Sequence, residues 1–236
     1  HTRVARNSNH EMSQLLDGRV DGALLLRDAN DPLITELLRR DFPMVLFFTR
    51  SYSGDVAYVD ADNYSGGRMA AQHLLELGHE NIAMVRGSSQ STASNDRFSG
   101  YRDALESAGQ SVRPESVLTI ATPTDDLTEF VALMSSPKRP TAILVWSDDV
   151  AYQLMAQMKA MGISIPRDVS IIGFDSLDSS NLISPGLTSV RQPIVQMAKE
   201  AATMLIDQIE GRPMQRKQVI YPLSLDVRDS TAVVPH

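Results

Sequence analysis

Ile171-Ile172-Gly173-Phe174-Asp175, followed a short way on by Pro185-Gly186-Leu187-Thr188-Ser189-Val190-Arg191-Gln192-Pro193, is the stretch whose reading decides the fold. An apolar run ends in Gly-Phe-Asp, and a second strand-like run, Leu187 to Val190, delivers Arg191 and Gln192 at its own end. Open α/β sheets bind ligands outside the carboxyl ends of their strands. Two polar clusters at two such ends therefore predict one pocket that grips a polar small molecule. Neither cluster carries the nucleophile-and-base chemistry of a catalytic triad. The stretch reads as binding first.

Outward from it, short apolar runs alternate with amphipathic stretches, the pattern of parallel sheets covered by helices. Strands are expected at Val20–Leu26, Met44–Phe48, Asp55–Val59, Asn81–Arg86, Val117–Ala121, Ala142–Val145 and, last, Gln218–Leu225. Helical spacing marks Glu11–Leu16, Pro32–Arg40, a helix from Ser65 closed by Gly78, Arg97–Ala108, Leu127–Met134, Val150–Met161 and Ile194–Ile209. Two lobes follow, with a break near Asp60–Tyr64 and crossings near Gln192 and Tyr221. The expected division is residues 1–60 with 193–219, and 61–192 with 220–236.

Composition narrows the classes. A chain of 236 residues suits two lobes of about 100 to 130 residues. It contains no cysteine, which removes disulfides and thiol catalysis and fits a cytoplasmic protein. The net charge of -7 makes this segment a poor direct partner for nucleic acid, whose binders replace counterions on phosphates. No apolar run reaches the length of a membrane span. The opening His1-Thr2-Arg3-Val4-Ala5-Arg6 lacks the apolar core of a signal peptide and an initiating Met, so a piece of something longer is expected. No dinucleotide fingerprint, nucleophile elbow or metal-ligand cluster is present, so neither an enzyme nor a cofactor is expected.

Several segments, in order and at compatible spacing, carry a resemblance. They are Val20-Asp21-Gly22, Asp62-Asn63 with Gly66-Gly67, His73-Leu74 with Gly78-His79, and Arg97 with Gly100-Tyr101. Pro140-Thr141-Ala142-Ile143, Asp148 with Ala151, Ile165-Pro166 with Asp168-Val169-Ser170, and Leu187-Thr188 with Arg191-Gln192-Pro193 continue the series. Together they resemble the effector-binding core of the lactose-repressor/galactose-repressor family of bacterial transcription regulators. The C-terminal Asp226-Val227-Arg228-Asp229-Ser230 is similar to the short ending of these repressors. The resemblance implies an α/β fold of two Rossmann-like lobes with parallel sheets, of the type I periplasmic-binding-protein kind, joined by three crossovers with an effector cleft between the lobes. It also implies a homodimer and, upstream, a basic helix-turn-helix headpiece through which a ligand-driven lobe movement alters operator binding.

Carried over residue by residue, the resemblance places Arg97, Ser147, Asp175 and Gln192 at the effector. An Arg fork and an Asp acceptor suit vicinal hydroxyls of a sugar. Arg97, at the opening of its helix, has a structural ion pair as its alternative, and Gln192 a hinge role. Asp148 opens a helix and is expected either to cap it or to touch ligand. Trp146 and Phe174 are candidates for stacking on a sugar, with core packing as the alternative. Departures are Ser147 where the family often has Asn, Phe48-Thr49-Arg50 where it often has an Asp, and the lack of an aromatic near Thr122-Pro123, which leaves Trp146 to stack. The family's first β-α-β unit has no counterpart before Glu11. His73 and His79 read as structural, Gly87-Ser88-Ser89 as a weak phosphate loop without a P-loop Lys, and Asp125-Asp126 and Asp148-Asp149 as capping carboxylates before cation ligands.

The sequence thus favours a sugar-sensing regulator core that meets DNA only through another domain. The alternative is a periplasmic sugar-binding protein of a transporter, which shares lobes and cleft.

Overall fold

The computed structural model describes residues 15–28, 30–50, 56–176 and 184–234. The expected helix at Glu11–Leu16 falls largely outside these residues, as do the opening residues and Asp55. The chain divides into two compact units. Unit 1 holds the residues up to Ala61 with Pro193–Tyr221, and unit 2 holds Asp62–Gln192 with the residues from Pro222 on. The chain crosses between them three times, after Ala61, Gln192 and Tyr221.

Unit 1 is built on a four-stranded parallel sheet in the order β1 (Ala23–Leu25), β2 (Met44–Phe47), β3 (Ala57–Ala61), β9 (Gln218–Tyr221). β2 is apolar and buried throughout, as an inner parallel strand covered on both faces must be. Helix α1 (Pro32–Arg39) starts at Asp31, whose carboxylate accepts from Leu33 N at 2.9 Å, with Pro32 at the first position where no N–H is needed. It buries Leu33, Ile34 and Leu37 against Leu25, Met44, Leu46 and Tyr58. The long helix α6 (Ile194–Ile209) buries Met197, Ala201 and Met204. Its Gln208 carboxamide behaves as an extra strand: Met44 N donates to Oε1 and Nε2 donates to Met44 O, each at 3.0 Å.

Unit 2 is built on a six-stranded sheet in the order β10-β8-β7-β6-β4-β5: β10 (Ser224–Asp226), β8 (Thr188–Arg191), β7 (Ser170–Asp175), β6 (Ala142–Val145), β4 (Ile82–Arg86) and β5 (Val117–Thr119). All pairings are parallel except β10 with β8. The two-residue period of a strand divides neighbours between two cores. Ile143, Val145 and Ile171 enter one, with Phe130 and Met134 of α4 (Thr128–Ser135) and Leu154 and Met158 of α5 (Asp148–Ala160). Leu144, Ile172 and Phe174 enter the other, with Leu74 of α2 (Asn63–Glu76) and Tyr101 and Leu105 of α3 (Thr92–Ser107).

The glycines of the resemblance have a physical reason. A Cβ on Gly67 would collide with the backbone of Arg97, and one on Gly100 with the carbonyl of Tyr64. Helices α2 and α3 therefore touch backbone to backbone, each through the other's glycine. Gly78, at φ +85°, ends α2 in the left-handed conformation that glycine accepts most readily.

Three sequence expectations are corrected. The strand expected at Gln218–Leu225 is two strands in different sheets, β9 and β10, divided at Pro222, which has no N–H to continue a ladder. Helix α3 begins at Thr92 rather than Arg97, because Ser91 caps it by accepting from Ser94 N at 3.2 Å. Arg97 thus lies inside the helix, on its buried face. Helix α5 begins at Asp148 rather than Val150, and its N-cap is Ser147, whose Oγ accepts from Val150 N. The C-terminal ending is a stitch: Thr188 N donates to Ser230 Oγ at 2.8 Å, and Ser230 Oγ donates to Ile171 O at 2.6 Å.

Substituting Gly67→Ala or Gly100→Ala forces α2 and α3 apart. Each is expected to cost about 1–3 kcal/mol, as overpacking does, read as a lowered midpoint in urea melts followed by far-UV circular dichroism.

Candidate functional site

At the carboxyl edge of the unit 2 sheet, β4 leads to β5 on one side while β6 lies on the other, so the chain reverses direction there. Such a switch point is where open α/β sheets form a crevice. The ends of β6, β7 and β8 deliver Trp146-Ser147, Phe174-Asp175 and Gln192 to this edge.

Arg97 reaches the edge from α3 and is almost wholly enclosed, at 4% exposure. Its Nε donates to Asn63 Oδ1 at 2.9 Å and an Nη donates to the Trp146 carbonyl. The guanidinium carbon lies 3.5 Å from the centroid of the Phe174 ring. A desolvated cation over a ring face stabilises by roughly 0.5–2 kcal/mol. Phe174 is itself fully buried, so its ring carries Arg97 and has no open face for a sugar. Core packing, the alternative reading of Phe174, is what the structure shows. Asn63, which the sequence did not mark as a site residue, fixes the orientation of Arg97; its place behind the helix-capping Asp62 was the available signal.

Gly173 explains the Gly-Phe-Asp order. A Cβ there would meet Asp148 Oδ1 and Leu187 Cδ2, so glycine leaves room for the Asp148 carboxylate. That carboxylate is fully buried and accepts from Ser189 Oγ at 2.6 Å. Asp148 occupies the first turn of α5, while Ser147 takes the capping position expected of it. The side chain joins α5 to β8 and is not open to solvent.

Trp146 holds its indole by donating Nε1–H to Ile120 O at 2.8 Å. The ring lies over Gly87, where a Cβ would stand 2.8 Å from it. It remains half-buried and can offer part of a face at the switch point. Ser147 is buried and engaged in capping.

Asp175 ends β7 at φ +120°, and Ser176 follows at φ +50°. Both values are costly for residues with a Cβ, and such strain gathers at binding sites. Gln192 Nε2 donates to Asp175 Oδ1 at 2.6 Å, while Gln192 Oε1 is buried without a hydrogen-bond partner among the described residues. Burial pushes the Asp175 carboxyl up to about 6. Arg97 and the Gln192 hydrogen bond pull it down, and Asp148 and Asp149 push it further up.

Elsewhere, His79 is structural, with Nδ1 2.9 Å from Thr141 Oγ1 and Nε2 3.0 Å from Ala232 O. Asp125 ties its own loop, accepting from Ala121 N at 2.7 Å and Thr122 N at 3.1 Å. Among the described residues no group of three His, Asp or Glu side chains could hold a metal ion, and no helix is long and apolar enough to cross a membrane.

Residues 71–231 match the model of the periplasmic binding protein-like domain. A regulatory protein of the LacI family from Chloroflexus aggregans is 32% identical, with 95% of this chain and 82% of that one covered and a TM-score of 0.83. The structure of the transcriptional regulator CelR in complex with cellobiose is 31% identical, covering 94% of this chain and 69% of that one, with a TM-score of 0.87. The transcriptional repressor PurR of Aliivibrio fischeri is 29% identical over 88% of this chain. This chain spans 63% of that repressor's length. The fold is therefore that of a periplasmic binding protein-like domain, and the chain belongs to the LacI family.

Asp175 has a raised carboxyl in the folded protein, so its contribution to stability is present below pH 4 and is lost as pH rises through about 6. Asp175→Asn removes that loss. It is expected to stabilise the ligand-free protein at pH 7 by up to about 3 kcal/mol, with the gain vanishing near pH 4, in denaturant melts at the two pH values.

Proposed function

We propose that this chain is the effector-sensing core of a bacterial DNA-binding transcription regulator, and that its effector is a sugar or a related neutral, hydroxyl-bearing molecule. The observation that carries this reading is the Asp175–Gln192 pair. A strained strand end holds a half-buried carboxylate beside a buried carboxamide oxygen that lacks a donor. Buried acceptors are normally satisfied, and a sugar hydroxyl supplies the missing donor. Trp146 supplies an apolar surface for a sugar ring, and Arg97 a positive charge behind the pair. Among the described residues no nucleophile with a base stands at this edge, and the proposed role is binding.

The chain's net charge of -7 argues that DNA is met through a separate basic headpiece. Ligand capture is coupled to operator binding by a two-state change in the core. The regulator is proposed to be cytoplasmic and to act as a homodimer, for which sedimentation at micromolar concentration should give twice the chain mass; a monomer there overturns that part. The transporter alternative has less support, because the relatives compared are regulators.

A thermal-shift screen against sugars, sugar phosphates and nucleobases tests the reading. A ligand at a hundred times its Kd should add about 2.7 kcal/mol by mass action. The shift should be lost in Asp175→Ala, and a hit that stabilises this variant equally would place the ligand elsewhere.

A further inference from the structure

We infer that Asp175 and Gln192 form a proton-linked gate: capture of a neutral, hydroxyl-bearing ligand expels a proton from the pair, so that affinity rises with pH across the weakly acidic range. The inference rests on the effector-sensing reading of this same edge.

The geometry gives the pair two arrangements. In the one observed, Gln192 turns its Nε2 to Asp175 Oδ1 and leaves Oε1 buried and without a partner. That arrangement suits an ionised carboxylate, which only accepts. A protonated Asp175 carries a donor of its own. A half-turn of the carboxamide then brings Oε1 to that O–H, and the two side chains satisfy one another. The neutral pair is closed on itself, whereas the ionised pair leaves Gln192 Oε1 without a donor beside a carboxylate that only accepts. Two donors on one ligand are complementary to the second state alone.

The surroundings hold the balance between the states. Gln192 is 7% exposed, and its backbone N–H donates to Asp175 O, so the two residues are tied at the main chain as well. Arg97 of α3 faces the carboxyl and favours its charge, while Asp148 and Asp149 of α5 oppose it. Arg191, across the ladder from Asp175, has its guanidinium on Asp226. Burial outweighs Arg97 and lifts the carboxyl to about 6, within reach of physiological acidification. Ligand donors favour the charged form, and linkage requires that the proton then leave to the buffer.

Isothermal titration calorimetry with cellobiose, D-glucose and D-ribose, from pH 5 to 8 in buffers of differing ionisation enthalpy, tests the gate. For a sugar that binds, Kd should weaken about tenfold between pH 7 and pH 5. Release approaching one proton per ligand should be seen at pH 5 and none at pH 8. Asp175→Asn should abolish the pH slope, whatever it does to affinity. A pH-independent Kd, proton uptake on binding, or a slope that survives in Asp175→Asn overturns the gate while leaving the sensing reading intact. Should Asp175→Asn bind no sugar, the proton count of the unsubstituted protein decides. If none of the three sugars binds at any pH, the sugar reading fails and the gate with it.

Discussion

The guanidinium of Arg97 is the interaction on which unit 2 depends. It lies on Phe174 of β7, receives its orientation from Asn63 of α2 and donates to the carbonyl of Trp146 at the end of β6. One side chain thereby joins a second helix and two strands to its own helix, α3. A cation enclosed to this degree is tolerable only where acceptors and a ring face replace its water. The glycine contacts are part of the same arrangement. With a Cβ at position 67, α3 would stand away from α2 and Arg97 would be carried off both Asn63 and Phe174.

The Gly173-Phe174-Asp175 triplet divides its labour by the alternation of a strand. Gly173 and Phe174 face opposite layers, one leaving space for a buried carboxylate and the other supporting a buried cation. Asp175 leaves the ladder with a strained backbone and meets Gln192. Three acidic groups, Asp148, Asp149 and Asp175, and one basic group, Arg97, are thus stationed around a single strand end. Asp148 is satisfied by Ser189 and Arg97 by its acceptors. The imbalance falls on Asp175, whose carboxyl is raised for that reason and because it is buried.

Much of this was legible in the sequence because the period of hydrophobic residues and the placing of Gly and Pro are local signals. The strand ends of β7 and β8 could be read directly, and so could Asp175 and Gln192 as polar groups delivered to one edge. Other features depended on partners remote in the chain. Phe174 reads as a stacking surface until Arg97, far upstream, is found on its ring. Asp148 reads as a cap until Gly173 and Ser189 are seen to enclose it. The start of α3 was displaced because Ser91, a hydroxyl in a run of small polar residues, caps as well as an Asp would, yet looks like loop in sequence. The split between β9 and β10 needed only Pro222 to be given its full weight as a strand breaker.

The same geometry bears on what kind of ligand the edge can hold. Arg97 already serves Asn63 and the Trp146 carbonyl, so its charge acts mainly within the protein. Asp148 and Asp149 already oppose a charge on Asp175, and an anionic ligand would add to that like charge. On the proposed effector reading, a neutral ligand rich in hydroxyls would avoid the repulsion and fill the vacant acceptor. On that proposal, discrimination between such ligands would rest less on attraction to charge than on unpaired buried groups, because an analogue lacking the right hydroxyl would leave Gln192 Oε1 unsatisfied. An orphaned buried acceptor costs about 1–3 kcal/mol, a factor of roughly ten to a hundred in affinity, which is enough to separate one sugar from another by a single hydroxyl.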